Sequence, residues 1–157
     1  LNLEQKIEKF GDKLKSLTKA QNDTKFVEGF VTASLVICIG AMAVVGAIND
    51  GLNGDPSMLF AKSILDFIII IIFAATFGIG VMFSAIPLGI YQGLITLCAV
   101  LIAPYLNDVL INELSYIGSA IIFGVGVNIS FGKKYKVGNM LPALLIPIVY
   151  EIVLSFL

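Results

Sequence analysis

The chain opens with apolar residues at helical spacing: Leu3, Ile7, Phe10, Leu14 and Leu17 follow at steps of four, three, four and three. Lys and acidic residues fill the remaining positions, so one apolar stripe runs along an amphipathic helix within residues 1–25. The stripe fits a helix lying on a membrane surface, its Lys stems reaching the headgroups. It also fits a heptad seam of a short coiled-coil or intersubunit helix. The surface helix is the preferred reading. Beyond residue 25 the amphipathic pattern gives way to long apolar blocks, over 26–48, 58–82, 87–105, 110–131 and 140–157. Each is close to the roughly 20 residues a helix needs to cross about 30 Å of hydrocarbon. NDGLNGDPS (49–57), a tight turn at Ser84–Pro87, a short acidic loop and GKKYKVGN (132–139) separate them. The expected fold is an all-α, polytopic transmembrane bundle of about five spanning helices behind one amphipathic helix.

Composition agrees: 58% of the 157 residues are hydrophobic and 13% charged, against about half and about a quarter in soluble domains. The net charge of −1 gives no basis for nucleic-acid binding. With no His and only two Cys, the sequence offers no usual zinc, haem or His-based catalytic site, and no metal or cofactor is expected. Cys38 and Cys98 read as buried free thiols acting as small hydrophobes. The chain begins with Leu1 inside a helical pattern, as a portion of a longer protein would.

Lys placement orients the bundle, because positive loops stay cytoplasmic. Six Lys precede the first span, and Lys133, Lys134 and Lys136 precede the fifth; the two intervening loops carry Asp50 and Asp55, then Asp108 and Glu113. Five crossings put both Lys-rich segments inside and residue 157 outside. Lys62 alone dissents and is expected to snorkel.

Polar residues within the spans are the candidate site. Asp66 lies about 12 Å into the second span and Glu151 about 16 Å into the fifth, at about 1.5 Å per residue. A charge at mid-membrane costs roughly 3 kcal/mol on insertion scales, so such groups normally face a bundle interior or a wet cavity. Each reads as an ion- or substrate-binding carboxylate, or as a protonated, hydrogen-bonded one. Glu28, near the cytoplasmic end of the first span, either reaches the headgroups or joins that site. Asn128 is a candidate ligand; Asn128, Gln92 and Thr76 equally fit interhelical hydrogen-bonding roles. Ala85, Gly89 and Gly93 form a small-residue ridge for helix packing, with Gly124 in a second one.

A shift of 84 residues lays LVICIGAM over SAIIFGVG, matching Gly40 with Gly124, and Gly54-Asp55 with Gly138-Asn139. It brings Asp66 within one position of Glu151. With one helix between the halves, this reads as an inverted repeat, an organisation common in secondary transporters.

FVEGFVTASL (26–35), AMAVVGAINDGLNGDPS (41–57), LDF (65–67), NELSYIGS (112–119) and VGNMLPAL (137–144) together resemble the YdfK/YqgA-like family of bacterial inner-membrane proteins, a domain-of-unknown-function family. The resemblance covers the chain from Phe26 onward and implies a bacterial inner-membrane location. Family members carry further hydrophobic segments upstream, which implies that this chain is a C-terminal portion. The family supplies no substrate or catalytic residues.

Two functions follow as expectations. One is a secondary transporter or ion-conducting protein, with Asp66 and Glu151 handling a small cation, proton or small solute. The other is a non-catalytic scaffold or assembly subunit, joined into a homo-oligomer through its small-residue ridge. An enzyme is not expected: a Ser-His pair is impossible, and the GxGD signature of intramembrane aspartyl proteases is missing.

Overall fold

The computed structural model describes residues 3–155 except 19, 21, 106 and 133. Lys19 and Lys133, used above for orientation, and residue 157 lie outside the described residues. Among the described residues all regular structure is helical. The elements are α1 (Leu3–Leu17), α2 (Phe26–Cys38), α3 (Ala41–Asn53), α4 (Ser57–Phe77), a 3₁₀ turn (Ile79–Ser84) running into α5 (Ala85–Leu97), short α6 (Ala99–Ile102), α7 (Asp108–Phe131), and a 3₁₀ stretch (Val137–Leu144) running into α8 (Leu145–Ser155).

Three helical stretches are long and apolar enough to cross a membrane: Ser57–Phe77, Ile79–Leu97 and Asp108–Phe131. Together α2 and α3, bent by 61° at the intervening residues Ile39 and Gly40, pass the same test as a broken span or a re-entrant loop, giving three crossings, or four where the pair is one span. The last apolar stretch, Val137–Glu151, is shorter. Its first half is 3₁₀ because Pro142 sits inside it and removes a backbone donor. The membrane bundle is as the pattern predicts, with about five apolar segments of which the first is broken and the last short.

The boundary between the second and third segments differs from expectation. It falls at Gly78, ahead of the expected Ser84–Pro87 turn. Gly78 has φ +79°, a conformation that favours glycine. The next glycine explains why the chain turns there. A Cβ on Gly80 would lie 2.0 Å from the Phe26 carbonyl oxygen, so only a bare backbone fits against the start of α2. At the same end, the Lys25 ammonium donates to the Thr76 carbonyl (3.3 Å), capping the last turn of α4.

α2 is the central element. Phe30, Val31, Leu35 and Ile39 pack with Ile121 and Val125 of α7 and with Val137. Ala33 packs with Phe77 and Val81 on another side. α1 lies along α2, with Ile7 and Leu14 against the first cluster and Phe10 ring-to-ring with Phe30 at 5.9 Å. Glu4 then clasps the 3₁₀ stretch: its carboxylate accepts from the Gly138 amide (3.1 Å) and its own amide donates to Asn139 Oδ1 (3.2 Å). The stripe of α1 thus has a partner within the chain, which neither sequence reading named.

α4 is the opposite case. Only 6% of its apolar window is buried, and Ile64, Leu65, Phe67, Ile68, Ile71 and Ile72 face outward, as lipid-contacting residues do. Before it, Asp55 accepts from the amide and hydroxyl of Ser57 and from Asn49, which together hold its carboxyl below the usual carboxylate range.

Gly80→Ala should lower thermal stability in detergent by about 1–3 kcal/mol, the usual cost of forcing atoms into a packed site. Gly126→Ala, where an added Cβ meets nothing within 4 Å, should leave the melting temperature unchanged.

Candidate functional site

The inward face of α4 is written at helical spacing: Met58, Leu59, Lys62, Asp66, Ile69, Ile70, Phe73 and Phe77 are its covered residues, among mostly outward isoleucines. Lys62 and Asp66, four apart, form an ion pair inside the bundle, their side chains only 8% and 17% exposed. Lys62 therefore does not snorkel. It turns inward because an ammonium beside Asp66 offsets a carboxylate that would otherwise stand alone in a poorly solvated interior. Asp66 is close to the midpoint of α4, as expected from its depth, but it is held by a cation on its own helix.

The pair acts electrostatically on Cys38, the last residue of α2, and Cys38 in turn on Tyr91 of α5. Lys62 and Asp66 of α4, Cys38 of α2 and Tyr91 of α5 are thus electrostatically linked near the α2–α3 break. Around that break lies a cavity of about 520 Å³. Cys38, Ile39, Gly40 and Ala41 line it, so the broken backbone itself forms part of the wall. Tyr91 and Pro87 face it from α5, and Leu141 and Pro142 from the 3₁₀ stretch. Neither Lys62 nor Asp66 is among its lining residues, although both act electrostatically on Cys38, which is.

The break is locally tolerable because backbone donors on both sides find partners. Ile39 donates to Leu35 (3.1 Å), and Ala43 donates to Gly40 (2.9 Å). Irregular backbone at membrane depth persists where protein covers it or where it lines a cavity. Here it does both.

A second cavity of about 370 Å³ adjoins α1, α2 and α7. Glu28 and Asn128 both line it, together with Glu4, Glu8 and Thr32. Asn128 is also committed to the following loop: its amide donates to the Tyr135 carbonyl (2.7 Å) and accepts from the amides of Lys134 and Tyr135 (2.9 Å each). Leu35 lines both cavities and is itself buried.

Glu151 does not join Asp66. It accepts from Asn107 Nδ2 (3.1 Å), and Asn107 caps the start of α7 through the Leu110 amide (2.7 Å). Glu151 therefore sits level with the first turn of α7, away from the mid-span position its count of residues suggested, because the last segment is short and begins as 3₁₀. The halves of the 84-residue shift also differ: Gly40 stands at a helix break, whereas Gly124 lies inside unbroken α7. Gly124 packs near a Val137 methyl, where an added Cβ would be 3.6 Å away. Ala85, Gly89 and Gly93 all lie on the outside of α5, and an added Cβ at either glycine would touch nothing within 4 Å. Thr76 bonds back to Ile72 on its own helix (3.0 Å), and the Gln92 Nε2 is buried with no hydrogen-bond partner among the described residues.

Sequence reasoning missed the partnership of Lys62 with Asp66, although their four-residue spacing is visible. It also missed Glu4 and Glu8 beside Glu28, and Tyr91, whose signal was the Pro87, Tyr91, Ile95 spacing on one face of α5. No cluster suited to a metal ion occurs among the described residues.

The fold and this interior define a polytopic helical membrane protein with charged groups inside its bundle. Residues 1–152 match the family described as protein of unknown function DUF554, and the chain belongs to that family. The uncharacterized membrane protein YdfK of Bacillus subtilis (strain 168) is 36% identical over 147 residues, covering 94% of this chain and 61% of YdfK. The uncharacterized protein YqgA of Escherichia coli (strain K12) is 38% identical over 121 residues, 77% of this chain and 52% of YqgA. The chain thus spans between half and two thirds of the curated relatives it matches. No solved structure matches.

Asp66→Asn alone should destabilise the protein by about 3–5 kcal/mol, because it leaves the Lys62 ammonium buried without its counter-charge. The double variant Lys62→Met/Asp66→Leu should return stability close to that of the parent. Denaturant unfolding of purified protein in detergent reads both.

Proposed function

We propose that this chain forms the solute-handling part of a secondary transporter, with the cavity at the α2–α3 break as its binding chamber. The observation that supports the reading is the pair of cavities meeting at Leu35. On one side lies a chamber walled by broken helix, on the other a vestibule lined by Glu4, Glu8 and Glu28. Discontinuous helices beside a mid-membrane cavity are a recurring transporter arrangement, because a helix break can hinge without tearing the bundle. Leu35 then serves as the partition between chamber and vestibule. The Lys62–Asp66 pair supplies charge whose separation or protonation accompanies solute movement, and Glu28 and Asn128 belong to the vestibule. In this reading the protein resides in the bacterial inner membrane. Its Lys-rich segments are cytoplasmic and its last helix ends outside. Catalysis of a covalent reaction is no part of the proposal.

The test uses Cys38 as a natural reporter in a Cys98→Ser background, with protein reconstituted into liposomes. A small membrane-impermeant methanethiosulfonate reagent should modify Cys38 from either face. Leu35→Ala should raise the rate from the Lys-rich side several-fold. Modification from one face only, in both proteins, removes the transport reading.

A second reading is favoured by the open ridge on α5. Among the described residues Ala85, Gly89 and Gly93 are exposed and an added Cβ at either glycine meets nothing within 4 Å, and small-residue ridges let helices of separate subunits approach closely. As a scaffold or assembly subunit, the protein would self-associate there into a homo-oligomer. Gly93→Leu should then convert oligomer to monomer on native gels with the melting temperature unchanged; an intact oligomer in that variant counts against it.

A further inference from the structure

We propose that the larger cavity binds an uncharged, mostly apolar small molecule carrying a single hydrogen-bonding group. This names the solute class of the transport reading. The binding itself does not depend on whether the molecule is then carried across.

The cavity's chemistry makes the assignment. Its volume of about 520 Å³ falls in the range of small-molecule sites, roughly 300–1,000 Å³. Every lining residue is uncharged, and most are aliphatic. An ion entering such a chamber would lose its hydration and meet no counter-charge, a large penalty. Lys62 and Asp66, the charges that act on Cys38, neutralise one another in their ion pair. They offer a single-signed ligand no net attraction.

A purely aliphatic occupant fits less well, because the wall is not purely aliphatic. Tyr91, Cys38 and Ser34 line it. The Ser34 hydroxyl is already spent on the Phe30 carbonyl (2.6 Å). Among the described residues, neither the Tyr91 hydroxyl nor the Cys38 thiol makes a hydrogen bond, and the two lie within electrostatic reach of each other. Among its side chains, one ligand donor or acceptor is therefore what this wall can satisfy, at Tyr91, with the Cys38 thiol as a weak partner. The walls come from many separate elements, including Ile7 of α1, Val44 of α3, Leu114 of α7 and Ile148 of α8. A bound molecule would thus be held by the assembled bundle, as ligand sites between helices are.

The probe is indole, neutral and aromatic with one N–H donor, set against its charged relatives indole-3-acetate and tryptamine. In Cys98→Ser protein in detergent, indole should slow alkylation of Cys38 by N-ethylmaleimide in a saturable way, at least several-fold. The charged relatives should not. Val44→Phe, which fills the chamber, should abolish that protection while the protein keeps its melting temperature. Tyr91→Phe should weaken protection by indole more than protection by toluene. Absence of saturable protection overturns the proposal, as does equal protection by the charged relatives or in the Val44→Phe protein. A co-purifying phospholipid that shields Cys38 until it is stripped away also overturns it, by giving the chamber to an acyl chain. Saturable protection in a protein whose Cys38 is reached from only one face keeps the binding site and discards transport.

Discussion

Inside hydrocarbon a backbone amide or carbonyl has no water to turn to, and that constraint arranges this molecule. A helix interrupted at Ile39–Gly40 could not face lipid. It is instead enclosed, with α1, α4, α5, α7 and the Ile79–Ser84 turn packed around α2. The same requirement brings Gly80 against the Phe26 carbonyl, where any side chain would hold the backbones apart. By contrast α4, whose hydrogen bonds are complete along its length, can stand at the periphery with its isoleucines outward.

Charge inside the bundle follows a related economy. A lone Asp66 would have to protonate or find water. The structure places Lys62 one turn away, so two costly groups become one neutral pair. Glu28 meets the same difficulty differently, remaining exposed at a cavity that also admits Glu4, Glu8 and Asn128. Glu151 sits near a helix start, bonded to the residue that caps it. Three carboxylates that look alike in sequence thus have three distinct environments, and only Asp66 is deep between helices.

The architecture was largely legible because lipid imposes length and hydropathy on every crossing; Ser57–Phe77 and Asp108–Phe131 begin within two residues of the starts that the apolar pattern marks. What escaped detection involved local exceptions. Gly78 and Gly80 moved a turn by several residues, since apolar patterning is blind to where two backbones must touch. The break at Gly40 was invisible for the same reason: the residues on either side are equally apolar. Lys62 was misjudged by treating side chains one at a time, although its four-residue spacing to Asp66 already described a pair. Tyr91 and Cys38 could not have been joined without the bend that brings α2 and α5 to one chamber. Family membership confirmed the kind of protein, but two uncharacterized relatives lend no chemistry to any of these residues.

The clasp joins Glu4 to the Gly138 amide and the Asn139 side chain, 134 and 135 residues further along the sequence. On a ribosome, α1 is therefore exposed long before its partner has been made, while the helices between them are being threaded into the bilayer. The partner of its acidic side chain is the 3₁₀ stretch, which is made only after α2 to α7. The two bonds then close a ring that encloses nearly the whole chain. Neither bond can form before residues 138 and 139 have been synthesised, so the clasp closes only after every helix between its two ends exists.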